Sequence, residues 1–237
     1  MDILTDKKIL TFDCYGTLID WETGILNSLN ACFSACGLTD EDILNLFAQT
    51  EHKIQNENSK MKYEDVLRAV IKKMGASLSI NIPEEKTVDF GLSVRKWTAF
   101  PDTITALQKL STRFKLIIVS NVDNESIAAT KNQLNIDFYR TYTAEDIGTY
   151  KPDLKVFNYV FNQLEKEGYY KNEILHIAES LYHDHVPAKK LGLDSVWINR
   201  RFSKSGNGAT PKVKKKWEPK YQFKDLASFA DWALNTV

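Results

Sequence analysis

The stretch Ile9-Leu10-Thr11-Phe12-Asp13-Cys14-Tyr15-Gly16-Thr17-Leu18 constrains this chain more than any other. An apolar, β-prone run stops abruptly on a carboxylate, and a glycine turn follows at once. A strand buried on both faces reads as a near-continuous apolar run, so this segment predicts a central strand of a parallel sheet. Ligands of open α/β sheets bind beyond the carboxyl ends of the strands, which is where Asp13 stands. Gly16 lets the backbone turn sharply beside it. The plain alternative is that Asp13 caps a turn, as aspartate often does. This stretch alone does not separate the two.

Beyond it the pattern turns helical. Leu26, Leu29, Cys32 and Phe33 recur at helical spacing, and Asp40 is placed to cap a second helix through Ile43, Leu44, Leu46 and Phe47. Tyr63, Val66, Leu67, Val70 and Ile71 mark a third, and Pro83 opens a fourth through Phe90 and Val94. No strand signal interrupts residues 22–94, so they form a helical insertion large enough to be a small domain over the first strand. From Pro101 the pattern changes. Asp102 is placed to cap a helix, and strands at 116–119, 139–143, 174–178 and 195–199 alternate with helical stretches. Such alternation implies βαβ units and a parallel sheet.

Composition excludes several classes. Of 237 residues, 43% are hydrophobic, enough for a packed core, and 31 basic side chains balance 31 acidic ones. No global field draws nucleic acid or an anionic membrane. No apolar run approaches a membrane span, and no apolar signal segment precedes the first strand. Cys14, Cys32 and Cys36 are an odd set without metal-site companions, which fits a reducing cytoplasm. Residues 200–220 carry eight Lys or Arg against one acid, Glu218. Such a run binds phosphate or nucleic acid in some proteins, but a solvated loop is the default reading.

Polar residues close four of the strands: Asp13; Ser120 and Asn121; Lys151-Pro152-Asp153; Glu179 and Asp184. Each has a dull explanation as a turn residue, surface lysine or helix cap. Together they would meet at one sheet edge. His183-Asp184-His185 invites a zinc reading, yet alternate residues of a helix do not share a face and no further ligand cluster completes a site. Trp21, Trp97 and Phe100 either line an apolar pocket or pack in the core.

These four segments, Asp13 to Leu18, Ser120-Asn121, Lys151-Pro152-Asp153 and Glu179-Ser180 through Asp184, resemble the motifs of the haloacid dehalogenase superfamily. The resemblance covers essentially the whole chain. It implies an α/β fold with a Rossmann-like parallel sheet core over 1–19 and 96–237, and a helical cap domain over 20–95 inserted after the first strand. It also implies covalent catalysis. Asp13 would attack an electrophilic carbon or phosphorus, and Lys151 would hold it ionised. Thr17, Ser120 and Asn121 would donate to a substrate carboxylate or phosphate. Asp184 would anchor Lys151, a metal or the hydrolytic water. Tyr15, Trp21, Phe100 and Asn121 would contact substrate.

Phosphatases of this kind usually carry an aspartate two residues after the nucleophile. Tyr15 at that position is similar to the type II L-2-haloacid dehalogenase branch and favours attack at carbon, on a small 2-substituted carboxylic acid. That branch typically has an arginine early in the cap, and Leu46-Phe47-Ala48-Gln49-Thr50 has none. It also usually has serine and asparagine where this chain has Glu179 and Leu181. The runs from Asp13 to Glu22 and from Glu179 to His185 are more similar to L-azetidine-2-carboxylate hydrolase, which opens a strained ring. The leading expectation is a cytoplasmic hydrolase with a small-molecule substrate, no required cofactor, and neither nucleic-acid nor membrane partners. One alternative is a Mg²⁺-dependent phosphatase holding the ion on Asp13, Glu179 and Asp184. Another is a non-catalytic binding protein that keeps the fold. The oligomeric state is left open.

Overall fold

The computed structural model describes residues 3–206 and 208–235. Strand β1 (Ile9–Phe12) is followed by helices α1 (Trp21–Phe33), α2 (Asp40–Glu57), α3 (Tyr63–Ser77) and α4 (Glu84–Ser93). After α5 (Thr103–Ser111) come β2 (Lys115–Ser120), α6 (Asn124–Leu134), β3 (Arg140–Thr143), the short α7 (Ala144–Ile147) and α8 (Leu154–Lys166). The chain closes with β4 (Ile174–Ala178), α9 (Val186–Leu191), β5 (Ser195–Ile198), β6 (Tyr221–Phe223) and α10 (Leu226–Asn235). The six strands make one sheet in the order β3-β2-β1-β4-β5-β6, parallel throughout. β1 is therefore central, as its apolar run predicts.

Alternate residues of the strands serve two cores, as the pleat requires. Leu10, Phe12, Leu116, Ile118, Leu175 and Ile177 face the larger one. Ile9, Ile117, Val119 and Ile174 face the other, under Val156, Phe157, Val160 and Leu164 of α8.

Several helix starts differ from expectation in an instructive way. α2 is capped by Thr39 rather than Asp40. The Thr39 hydroxyl accepts from Asp42 N, and the Asp42 carboxylate accepts from Thr39 N, a reciprocal capping box. Asp102 does not cap α5 with its side chain. Its carboxylate accepts from Leu226 N at 2.8 Å, capping α10, and pairs with Arg200 at 2.7 Å. β6 and α10 lie beyond the last expected strand. Three residues at a half-exposed sheet edge give no readable period. In the basic loop, Arg200 and Arg201 turn inward, Arg201 pairing with Glu22 at 2.5 Å and Glu41 at 2.6 Å. Lys204, Lys212, Lys214, Lys215, Lys216 and Lys220 are exposed. Among the described residues no helix is long and apolar enough to cross a membrane.

The helices between Trp21 and Ser93 pack on one another in sequence, α1 on α2, α2 on α3 and α3 on α4. Phe47 is fully buried at their centre, edge-on to Trp21 at 6.1 Å and to Phe90 at 6.3 Å between ring centroids. Gly24 allows α1 to approach Trp97, since a Cβ there would stand 2.3 Å from Trp97 Cδ1. Phe47→Ala removes the ring that these aromatics share, and a loss of about 3–5 kcal/mol is expected. Urea unfolding measures it, and a loss under about 1 kcal/mol would show that the helices do not depend on this contact.

Candidate active site

The carboxyl ends of β1, β2 and β4 converge, and the chain between them supplies the polar groups. Asp13 leaves β1 with its N–H bonded to Ile177 O at 3.0 Å. Gly16, at φ +95°, turns the chain so that Gly16 N reaches Ile19 O at 2.8 Å. The turn brings the Thr17 hydroxyl back to Asp13, where it donates to Oδ2 at 2.7 Å and accepts from Glu179 N at 2.8 Å. Thr17 thus orients the carboxylate. It does not reach outward to a substrate, as the sequence led one to expect.

Lys151 is 1% exposed, and its ammonium makes a bond in each of three directions. It donates to Asp13 Oδ1 at 2.8 Å, to Asp184 Oδ1 at 2.8 Å and to Val119 O at 2.9 Å. An ammonium has no further proton to give. Asn121 holds the lysine backbone, accepting from Lys151 N at 2.7 Å and donating to Lys151 O at 3.0 Å. The clamp takes the carbonyl and one of the two amide N–H groups, so Asn121 lines the site with its second N–H still to give. Ser120 is different. Its hydroxyl is buried and has no partner, and neither does Asp184 Oδ2. These are the two polar atoms without a partner that the core presents at the site.

The electrostatics follow from burial against pairing. Burial raises the Asp13 carboxyl above its ordinary range, with Lys151 and the Thr17 hydroxyl opposing and Asp184 assisting. Burial opposes ionisation of Asp184 too, but Lys151 and His176 more than offset it and hold that carboxyl below the usual range. Burial would deprotonate Lys151, and the two carboxylates reverse this and hold it charged. His176 Nε2 lies 2.9 Å from Asp184 Oδ1, and its Nδ1 lies 2.9 Å from the Thr11 hydroxyl. Thr11 and His176 are register partners on β1 and β4, so the sheet itself sets this contact.

A cavity of about 40 Å³ lies over Asp13. Asp13, Tyr15, Trp21, Ser120, Asn121, Lys151 and Asp184 line it from one side, with Ser180 and His183. Glu51 and Gln55 of α2 and Tyr63 of α3 close it from the helical side. The Tyr15 ring faces the cavity and stands edge-on to Trp97 at 5.9 Å, while its hydroxyl bonds Thr130 at 2.7 Å. Phe100 is not among the lining residues. It lies under the Arg200 guanidinium, 4.0 Å from its ring centroid. Trp97 backs Tyr15 and does not line the cavity either. A roomier hollow of about 550 Å³ sits at the amino-terminal end of β4 and β5, against Lys7, Asn172 and Ser195. Its lining includes none of Asp13, Ser120, Lys151 or Asp184, so its size carries no chemical weight.

The magnesium alternative is corrected. Among the described residues no group of three His, Cys, Asp or Glu is placed to hold a metal ion. Glu179 does not join Asp13 and Asp184. It lines a separate cavity with Trp197 and Arg201, where burial and nearby Glu22 push its carboxyl up to about 8. Lys151 already supplies the counter-charge to both aspartates. His183 and His185 diverge on a π-helical turn, Leu181–His185. His183 lines the cavity, bonded to Ser180, whereas His185 bonds Ala178 O and the Ser195 hydroxyl. Burial lowers both to about 4, so both are neutral near pH 7.

Sequence reasoning missed Glu51, Gln55, Tyr63 and His176 as site residues, and weighed His183 only as a zinc ligand. The signal was a polar residue at an apolar position. Phe47, Glu51, Ile54 and Gln55 share the buried stripe of α2, and His176 interrupts the run of β4.

A parallel sheet with a buried carboxylate–ammonium pair at its carboxyl edge, facing a cavity, is the arrangement of an α/β enzyme. A family model described as haloacid dehalogenase-like hydrolase matches residues 10–198. The chain belongs to this family of enzymes. It is 26% identical to the (S)-2-haloacid dehalogenase of Pseudomonas putida, over 96% of this chain and 97% of that one. It is 24% identical to (S)-2-haloacid dehalogenase 4A of Burkholderia cepacia, over 82% and 84%. In fold it is similar to the L-2-haloacid dehalogenase from Xanthobacter autotrophicus with chloropropionic acid covalently bound. That likeness has a TM-score of 0.77 at 18% identity, over 98% of this chain and all of that one.

Lys151→Met would leave Asp13 and Asp184 buried without a counter-charge, at an expected cost of about 3–5 kcal/mol. Both carboxyls would then sit above their unfolded values, so the folded form takes up protons that the unfolded form does not. Stability of the variant should rise as pH falls toward the carboxylate range. Urea midpoints across pH test this, and a deficit that widens on acidification contradicts it.

Proposed function

We propose that this enzyme is a hydrolase in which Asp13 attacks carbon on a small 2-substituted carboxylic acid, forming an ester that water then cleaves. The observation that carries the reading is the state of Asp13. It is buried, fixed by Lys151 and Thr17, and faces a cavity, with Tyr15 rather than an acid two residues after it. A phosphate ester with a poor leaving group needs a proton donor, which phosphatases similar to this chain usually carry as an aspartate two residues after the nucleophile. The Tyr15 hydroxyl is turned away to Thr130, and burial raises its pKa well above the ordinary range. It is no substitute for that acid. With no three-carboxylate site among the described residues either, the phosphatase reading is disfavoured.

In this reading an Asp13 oxygen forms the new C–O bond as the leaving group departs with the bonding pair. Ser120 donates its free hydroxyl to the substrate carboxylate. Water then attacks the ester carbonyl. The unpartnered Oδ2 of Asp184 accepts a water proton, and Lys151 steadies the oxyanion. Within this class the candidates are 2-haloacids, as in the relatives, and strained cyclic amino acids, as the motif runs suggest. A cavity of about 40 Å³ holds little more than a water molecule. Substrate entry therefore requires residues 20–95 to act as a cap that lifts from the core. The contacts to break include Tyr150 to Met61 O, Lys62 to Glu145 at 3.1 Å and Arg95 to Glu125 at 2.7 Å.

A screen of haloacids, azetidine-2-carboxylate and phosphate esters, with and without Mg²⁺, tests the class. Asp13→Asn should abolish turnover of whichever carbon substrate is accepted. A single turnover in H₂¹⁸O with enzyme in excess should label the Asp13 peptide and leave the first product unlabelled. Label found only in product would mean direct attack by water. On the acid side, kcat/KM should fall at a higher pH than a solvated aspartate would give, because burial raises Asp13 against the pull of Lys151 and Thr17, with Asp184 adding to the rise.

A further inference from the structure

The helical side of the cavity carries a group for which the chemistry so far has no use. Glu51 is 3% exposed, on the apolar stripe of α2 between Phe47 and Ile54. Its one described partner is the Tyr63 hydroxyl, which donates to Oε1 at 2.7 Å. Among the described residues no lysine or arginine pairs with it. Lys151, the cation of the cavity lining, has spent its three protons on Asp13, Asp184 and Val119 O. His183, also in the lining, is held neutral by burial. Burial accordingly pushes the Glu51 carboxyl up to about 7. A buried carboxyl without a counter-ion is costly unless something arrives to pair with it.

The cavity therefore has a nucleophilic carboxylate on the core side and an uncompensated carboxyl on the other. A halide leaving toward Glu51 would place a developing anion against a carboxyl, with no cation there to receive it. A protonated nitrogen suits the same position.

We propose that Glu51, oriented by Tyr63 and flanked by Gln55, recognises a protonated nitrogen on the substrate. The substrate class is then a small cyclic amino acid whose ring nitrogen departs from the carbon that Asp13 attacks. This rests on the covalent reading above and narrows it.

The step balances without an external reagent. An Asp13 oxygen pair forms the C–O bond, and the C–N pair returns to the ring ammonium, which becomes a free amine. Water then adds to the ester carbonyl and the acyl–oxygen bond breaks. One water proton ends on the released hydroxyl and the other on the amine, and Asp13 is again a carboxylate. Glu51 takes no part in bond making. It binds the nitrogen in its protonated form, the only form that can leave as a neutral amine, so Glu51 sets specificity.

Binding to Asp13→Asn, which cannot turn over, isolates this role. Azetidine-2-carboxylate and cyclobutanecarboxylate have the same ring size and carboxylate, and only the first carries an ammonium. Calorimetry should show at least about tenfold tighter binding of the amine, and adding Glu51→Gln should remove most of that preference. A purely structural Glu51 would weaken both ligands alike. Equal affinities on Asp13→Asn, no binding of the amine, or a preference that survives Glu51→Gln each overturn the proposal. The first two comparisons need no change at Glu51, so they stand even where that variant folds poorly. A preserved preference with no Asp13 ester in the unsubstituted enzyme would instead refute the nucleophile and leave the nitrogen site standing.

Discussion

The ammonium of Lys151 is the interaction on which the rest of this structure depends. It reaches Asp13 after β1, Val119 in β2 and Asp184 after β4, so one side chain ties three strand ends together. Such a cluster is a weak source of stability, because three desolvated charges give back much of what their attraction supplies. Its value lies in geometry. Asp13 is left ionisable, oriented and dry, with both oxygens fixed by donors that do not move. Asn121 extends the arrangement by pinning the backbone of Lys151 itself, through its carbonyl and one of its two amide N–H groups.

Around that cluster, each element has a mechanical reason to be where it is. Gly16 permits the turn that folds Thr17 back onto Asp13. Tyr15, two residues past Asp13, gives an aromatic wall whose hydroxyl is engaged by α6 and whose ring rests on Trp97. Gly24 lets α1 close against the same tryptophan. The helical insertion is thus seated on the β1 turn through aromatic contacts, and the cavity it closes is nearly filled.

The core was far more legible in the sequence than the insertion. Parallel strands put their carboxyl ends at one edge, so motifs following Phe12, Val119 and Ala178 had to meet whatever the details of packing. Helical periodicity, by contrast, identifies a buried stripe without saying what it is buried against. Phe47 and Glu51 occupy the same stripe of α2, yet one fills the interior of the insertion and the other reaches the cavity. Phe100 shows the converse. An aromatic near the motifs suggested a pocket wall, but it is taken by Arg200, a residue distant in sequence that no periodicity could bring to it. Asp102 likewise had the right chemistry for a cap and was used on α10, a helix far along the chain.

Where a polar residue broke an apolar pattern, it proved informative in both layers, and the two cases differ in a way that bears on ligand choice. His176 in β4 is repaid locally, by Thr11 on the neighbouring strand and by Asp184. Glu51 in α2 receives only a tyrosine hydroxyl, and the cavity it faces already contains two aspartates against one lysine. With both aspartates ionised the walls already carry a net negative charge, and it grows once Glu51 ionises. A phosphate dianion entering there would add charge of the sign already in excess. A small zwitterion bound as proposed would set its carboxylate at the Ser120 hydroxyl and its ammonium toward Glu51, lowering that excess at the end of the cavity where no described cation does.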